Sequence, residues 1–382
     1  MSGRVIVVGS VNIDLVAHVP HLPHPGETVT GGSYERHNGG KGGNQAVAAA
    51  RLRRPTLFIG AVGDDTFEME ARRALSSERV DTSMVASLPG QPTGVALILV
   101  DAAGENEIAV VPGANGAIES GYVRDCLARL GRLTGDALLV CNEVPLHVVR
   151  EALVCGHAAG ATTILNPAPA IGIDRSLFGL ADIVTPNRTE LATLLQTEAR
   201  RTGRRVDAST DTSARARVLL DAGPEGPGVR KAVIVTLGAG GVVVLERIGA
   251  GLKRTLQARP ESTEPAPAVS GTEPCEDPEP VVRAPATGPA ADSPEEDGAP
   301  ADAARLGDYR VWEVQADKVA TVDSTGAGDA FCGALAAALA EGRSLSEAVR
   351  RAVAGAALAT THSGAREGMP TATELDGFLA LR

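Results

Sequence analysis

The sequence predicts an α/β fold: a central, mostly parallel sheet flanked by helices, with a small β-sheet lid. Three observations predict it. Short β-branched runs recur at 5–8, 57–62, 95–100, 137–140, 162–165, 183–185 and 232–236, and near-continuous apolar runs of this length belong to strands covered on both faces. Helix-length segments lie between them at 44–52, 67–76, 146–159, 327–341 and 345–361, the alternation a parallel sheet produces. The run 97–111 differs: Leu97-Ile98-Leu99-Val100 and Ile108-Ala109-Val110-Val111 flank Asp101-Ala102-Ala103-Gly104-Glu105. That pattern is an antiparallel pair around a Gly-containing turn. With 15–18 and 28–36 it forms the lid, whose strands come from about 12–38 and 94–112.

The 382 residues read as a single domain over 1–382, interrupted by an acidic insert. Between Pro260 and Asp302 stand 10 Pro, 11 Asp or Glu, one Arg (Arg283) and no aromatic residue. This window carries a net −10 of the chain's −11. So much Pro and acid cannot bury enough apolar area to offset ordering entropy. The insert, placed at 255–307, is therefore expected to be disordered, with an acidic docking tail as the alternative. A second polar stretch at 197–217 reads as a milder surface insertion.

Aromatics make up only 2% of the chain and the charge is acidic, so no nucleic-acid partner is expected. The five Cys are scattered without a Cys-x-x-Cys pair, which suggests neither a disulfide framework nor a zinc site. No apolar run reaches a membrane span of about 18 residues, and 5–8 enters a strand without a signal-type stretch. A cytoplasmic location is expected.

Two glycine-rich segments carry the chemistry, and neither is a P-loop or a complete Gly-x-Gly-x-x-Gly fingerprint. The first is Asn38-Gly39-Gly40-Lys41-Gly42-Gly43-Asn44-Gln45, before an Ala-rich helix. Its glycines admit close ligand approach, while Lys41 and Asn44 can bind hydroxyls or an anion; a plain capped turn is the alternative. The second is Asp323-Ser324-Thr325-Gly326-Ala327-Gly328-Asp329, leading into a helix. The N–H groups of Gly326, Ala327 and Gly328 at a helix N-terminus make an anion site. Asp329 in the first turn is either a dipole-stabilising carboxylate or a base beside that site, as transfer of a phosphoryl group to a hydroxyl requires.

These segments resemble the two signatures of the ribokinase family, the PfkB-type carbohydrate kinases. Supporting motifs stand at Gly26-Glu27-Thr28-Val29, Asn166-Pro167-Ala168-Pro169-Ala170, Asn187-Arg188-Thr189-Glu190 and Thr236-Leu237-Gly238-Ala239-Gly240-Gly241. The resemblance spans nearly the whole chain outside the two polar stretches. It implies a ribokinase-like fold and ATP-dependent phosphorylation of D-ribose at the 5-hydroxyl. The alternatives are a kinase for another small sugar (deoxyribose, fructose, a ketodeoxy sugar acid), a nucleoside kinase, or a non-catalytic sugar-binding protein.

Residue by residue, the resemblance implies that Asn12 and Asp14 bind the sugar hydroxyls with Gly40, Lys41, Gly42, Gly43, Asn44 and Glu143. Asn187 and Thr236 through Gly241 resemble the ATP site, which Gly328 and Asp329 adjoin. Glu190 corresponds to the carboxylate that organises magnesium, through water. Asp329 corresponds to the catalytic base, with Gly326, Ala327 and Gly328 as the anion hole. A potassium ion is implied at Asp323, Thr325, Ala359, His362, Gly364 and Gly368, several of them through main-chain carbonyls. The resemblance also implies a homodimer formed through the lid. Departures from the family pattern are Gly43 in place of Ala, Arg53-Arg54-Pro55 in place of a Gly-Ala turn, and Gly368 in place of Ser.

Overall fold

The apolar strand Val5–Val8 sits in the middle of the sheet and shows how the layers form. Val5 and Val7 face one hydrophobic cluster while Ile6 and Val8 face a second, the two-residue alternation of a strand buried on both sides. The structure is a computed structural model that describes residues 3–173, 175–202, 211–221, 227–248 and 303–381. Its main sheet has ten strands. From one edge they run Ala304–Leu306, Tyr309–Val314, Val242–Arg247, Ala232–Thr236, Ile183–Val184, Thr162–Asn166, Ala137–Cys141, Val5–Val8, Thr56–Gly63 and Val80–Leu88. Pairing is parallel from Val80–Leu88 through Ala232–Thr236. It turns antiparallel from Ala232–Thr236 to the other edge.

One face packs against the helices Lys41–Arg51, Ala327–Ala340 and Leu345–Ala359. Ala327–Ala340 is dominated by Ala, the strongest helix former, and is buried along almost its whole length. Gly333 lets it approach Lys41–Arg51 closely: a Cβ there would lie 2.5 Å from Ala48 Cβ and 2.6 Å from the Gln45 carbonyl oxygen. The opposite face packs against Ser120–Leu130, Leu146–Ala158, Arg188–Thr202 and Thr212–Leu220.

A second sheet forms the lid, in the order Tyr34–Gly39, Asn12–His18, Gly94–Val100, Asn106–Val111. Gly94–Val100 and Asn106–Val111 are the antiparallel pair expected from 97–111. The strand expected at 28–36 forms instead at Tyr34–Gly39, because Gly31 and Gly32 adopt φ of 102° and 105° and interrupt the extended chain.

Three further differences stand out. The helix expected from Asn44 begins at Lys41, so Lys41, Gly42 and Gly43 form its first turn, not a loop. The polar stretch 197–217 is helical at its ends, in Arg188–Thr202 and Thr212–Leu220. The insert placed at 255–307 ends sooner, because Ala304–Leu306 pairs with Tyr309–Val314 as an edge strand. Its remainder, with the acidic window 260–302, lies outside the described residues.

Candidate active site

The close approach at Gly333 brings the two glycine-rich segments together. Asp329 stands in the first turn of Ala327–Ala340 and is 6% exposed. Its Oδ2 accepts a hydrogen bond from Asn44 Nδ2 at 3.1 Å, and its Oδ1 accepts from Gln45 Nε2 at 3.0 Å. Gln45 Nε2 also reaches Asn166 Oδ1 at 3.0 Å, and Asn166 Nδ2 donates to the Thr185 carbonyl at 3.2 Å. The carboxylate is thereby fixed to three elements of the main sheet and its helices.

A cavity of about 200 Å³ opens beside it, lined by Lys41, Asn187, Glu190, Thr236, Gly326, Gly328 and Asp329 among others. The negative charge of Asp329 is the largest influence on Lys41 and raises its ammonium above the usual range. Burial pushes the Glu190 carboxyl up; the Asn187 amide and Lys41 oppose it, and Asp329 adds to it. Glu190 Oε2 accepts from the Asn187 N–H at 2.8 Å, and Asn187 Oδ1 accepts from the Glu190 N–H at 2.8 Å. This reciprocal pair starts the helix Arg188–Thr202. Asn187 bridges to Thr236, and the Leu237 N–H donates to the Gly241 carbonyl at 2.8 Å, closing the turn through Gly238, Ala239 and Gly240.

Gly326 caps the Asp329 helix in the left-handed region, φ 76°. Gly326 and Gly328 line the cavity, whereas the Ala327 N–H donates to the Ser324 carbonyl at 3.2 Å. Of the three expected anion-hole amides, Ala327 is therefore already engaged.

Asn12 and Glu143 line an adjoining cavity of about 480 Å³ under the lid, together with Ser10, Val110 and Asn115. Asn115 Nδ2 donates to Asn12 Oδ1 at 2.8 Å and fixes its amide. Glu143 Oε2 accepts from the Ser10 hydroxyl and from the Lys41 N–H at 2.9 Å. One carboxylate oxygen thus ties the Ser10 loop to the first amide of the helix Lys41–Arg51. Asp14 lies on the lid against the Gly39 backbone. Its carboxyl is pushed up to about 6 by burial; Arg366 and His37 pull it down, and Glu143 and Asp329 push it further up.

Asp323 joins two loops behind the Asp329 helix. Its Oδ1 accepts from the Thr325 N–H at 2.8 Å and its Oδ2 from the Gly364 N–H at 2.9 Å. The Thr360 carbonyl accepts from the Val322 N–H at 2.8 Å. The Ala359 carbonyl oxygen lies so near Gly368 that a Cβ there would approach it to 2.2 Å. Both oxygens of the Asp323 carboxylate thus meet backbone N–H groups, and the carbonyl nearest Gly368 is that of Ala359. The His362 Nδ1 lies 2.9 Å from the Thr361 hydroxyl. A half-buried carboxylate in the same cavity as Asp329, as Glu190 is, suits water-mediated contact with magnesium.

Sequence reasoning passed over Gln45, Ser10, Asn115 and Arg366. Gln45 adjoins Asn44 in a quoted motif, but nothing in the sequence reveals that both residues reach one carboxylate.

Residues 2–264 and 300–372 match the pfkB family of carbohydrate kinases. The chain is 32% identical to the ribokinase of Haemophilus influenzae over 99% of both chains. It is 31% identical to the ribokinase of Schizosaccharomyces pombe, over 99% of this chain and 98% of that one. Among solved structures, the ribokinase of Thermotoga maritima superposes with a TM-score of 0.72 at 27% identity, covering 99% of each chain. The Arabidopsis thaliana ribokinase, solved with ribose and ATP, gives 0.70 at 25% identity over 99% of each chain. The α/β fold and the paired glycine-rich segments define a kinase of small hydroxylated substrates, and the chain belongs to the pfkB family of carbohydrate kinases.

Proposed function

We propose that this enzyme transfers the γ-phosphoryl group of ATP to the 5-hydroxyl of D-ribose. The observation that carries this reading is Asp329: a buried carboxylate at a helix N-terminus, held by Asn44 and Gln45, facing a cavity with Lys41 and Glu190. Asp329 takes the hydroxyl proton as the sugar oxygen bonds to the γ-phosphorus. The bond to the β–γ bridging oxygen breaks and ADP leaves. Charge on the transferring group meets the Lys41 ammonium, the helix N-terminus and the Gly326 and Gly328 backbone, and such fixed positive groups are the main source of rate in phosphoryl transfer.

Asn12, Asp14, Glu143 and the segment Gly40 to Asn44 hold the sugar, and Asn187 with Thr236 to Gly241 holds the nucleotide. Magnesium bound with ATP would offset phosphate charge, and Glu190, which lines the same cavity as Asp329, is the residue that would help hold it, through water. Potassium would be held by Asp323, Thr325 and the carbonyls of the 359–368 loop, and would steady the Gly326 turn. The chain acts in the cytoplasm as one kinase domain carrying an acidic insert, and the gap at 265–299 in the family match supports the insert.

The lid also joins two copies. Tyr34, Leu97 and Ile108 are 64%, 48% and 57% exposed on it, and a concave apolar surface there is lined by Leu15, Ala17 and Leu99 as well. A second copy of this sheet is the apolar surface that would cover it.

ADP release measured across D-ribose, 2-deoxyribose, fructose, a ketodeoxy sugar acid and nucleosides tests the reading. D-ribose should give the highest kcat/KM. A higher value for deoxyribose, in keeping with a Salmonella typhi deoxyribokinase 29% identical over 99% of the chain, would reassign the substrate. No turnover with any of them would remove the kinase reading.

A further inference from the structure

We propose that Arg366 is a positioning residue of the sugar site and that residue 43 is glycine in order to seat it; this rests on the kinase reading above. Arg366 lies in the loop after Leu345–Ala359 and is 6% exposed. Its Nη2 donates to the Gly39 carbonyl at 2.8 Å and its Nε to Asn44 Oδ1 at 2.9 Å. One guanidinium thus grips both ends of the segment that closes on the sugar.

The grip decides which way the Asn44 amide points. Arginine only donates, so the amide must turn Oδ1 toward it. Nδ2 then faces Asp329 Oδ2, at 3.1 Å. A flipped amide would set its NH₂ against the guanidinium and its oxygen against a carboxylate, two repulsive contacts in place of two hydrogen bonds. Arg366 is itself anchored: its carbonyl accepts from Arg51 Nη1 at 2.7 Å, and Arg51 Nη2 is 2.6 Å from Glu78 Oε1.

Gly43 stands in the first turn of Lys41–Arg51, and glycine is disfavoured inside helices. The reason for it here is spatial. A Cβ at 43 would lie 2.4 Å from Arg366 Nη2 and 3.5 Å from its Cζ. The guanidinium could clear an alanine only by leaving the Gly39 carbonyl and Asn44.

A double-mutant cycle of Gly43→Ala and Arg366→Gln tests this, with sugar and nucleotide affinities measured by calorimetry and turnover measured separately. Each single change should weaken sugar binding about tenfold, as expected for losing hydrogen bonds from a charged donor, and leave ATP affinity within about twofold. In the Arg366→Gln background, Gly43→Ala should add almost nothing, because the space is already empty. Gly43→Ala costing as much in both backgrounds would overturn the pairing, as would either single variant with unchanged sugar affinity. Equal losses of sugar and ATP affinity, with a lowered melting temperature, would show general damage instead and equally remove the positioning role. A wild-type protein that turns over a different sugar fails the substrate assignment alone, and the cycle is then read on that sugar.

Discussion

Asn44 Nδ2 donates to Asp329 Oδ2 at 3.1 Å across 285 residues of sequence. Gln45, its neighbour on the same helix, donates to the other carboxylate oxygen at 3.0 Å. Consecutive side chains of a helix point about 100° apart, yet both reach one carboxylate because that carboxylate sits between two helices in close contact. A carboxylate held at both oxygens keeps one orientation toward the cavity it lines.

Replacing the base tests its role directly. Asp329→Asn keeps the shape and removes the proton acceptor, so kcat should fall by at least about 10²-fold with sugar affinity little changed. Steady-state kinetics at saturating ATP provide the measurement. A variant with near-normal kcat would return Asp329 to the role of a helix-dipole residue.

The helix contact beneath the site should be as sensitive. Gly333→Ala gains about 1 kcal/mol of helix propensity. It also forces a Cβ to 2.6 Å from the Gln45 carbonyl oxygen, backbone that cannot turn aside, and overpacking of this kind costs about 1–3 kcal/mol. The clash should win: the urea midpoint should drop, and kcat should drop with it as Gln45 moves from Asp329. A Gly333→Ala protein more stable than the parent would show that the helices separate freely.

The particular residues explain how much of this was legible in advance. Val5–Val8 announces a two-sided strand by composition, and the glycines flanking Asp329 announce a helix N-terminus, so the sheet, the lid hairpin and the place of Asp329 in a first helical turn follow from local pattern. Tyr309–Val314 carries Arg310 and Glu313 within a strand near the sheet edge, and Val80–Leu88 mixes polar with apolar positions, so neither reads as a continuous apolar run. Arg366 could not be found at all. Its partners Gly39 and Asn44 are 327 and 322 residues away, and only the fold brings them together.

Asp14 should set an acid limit on sugar binding. Burial holds its carboxyl at about 6, up from 3.8, and the ionised form is the one that accepts from hydroxyls. The sugar KM should therefore rise as pH falls below about 6, with the ATP KM steady. Stability runs the other way. Between 3.8 and about 6 the folded state holds more protons than the unfolded state, so this group's contribution to stability is lost as pH rises through about 6. At pH 7 Asp14→Asn should raise the unfolding free energy, by on the order of 2 kcal/mol, while weakening sugar binding. A flat sugar KM from pH 5 to pH 8 would take Asp14 out of the pocket.

Removing the acidic window should be tolerated. The Ile248 N–H donates to the Asp308 carbonyl at 2.8 Å, and the strand resuming at Ala304 is two strand spacings, roughly 10 Å, from Val242–Arg247. Deleting 260–302 leaves 249–259 as the connection, ample at roughly 3.3 Å per extended residue. A shorter closed loop costs less entropy. Melting temperature and ribose turnover should match the parent within error. An insoluble or inactive deletion protein would make the window structural.

Asp323 provides the test of the monovalent cation. Burial alone would push its carboxyl up, but the Gly364 and Thr325 amides outweigh it and hold the group below its ordinary value. It therefore stays charged across the working pH range beside the loops that carry Gly326 and Gly364. An ion held there would lie outside the path between hydroxyl and phosphate and would act by fixing the Gly326–Gly328 turn against the developing charge. Exchanging potassium for sodium at constant ionic strength should lower kcat while magnesium dependence persists, because the smaller ion draws its oxygen ligands closer and tilts the turn. Asp323→Asn should erase the difference between the two salts and leave a low rate common to both. Equal activity of the parent in sodium and potassium would remove the cation site. The Gly368 contact would then be the place to look, since a glycine packed on the Ala359 carbonyl brings no hydroxyl to complete the ligand set.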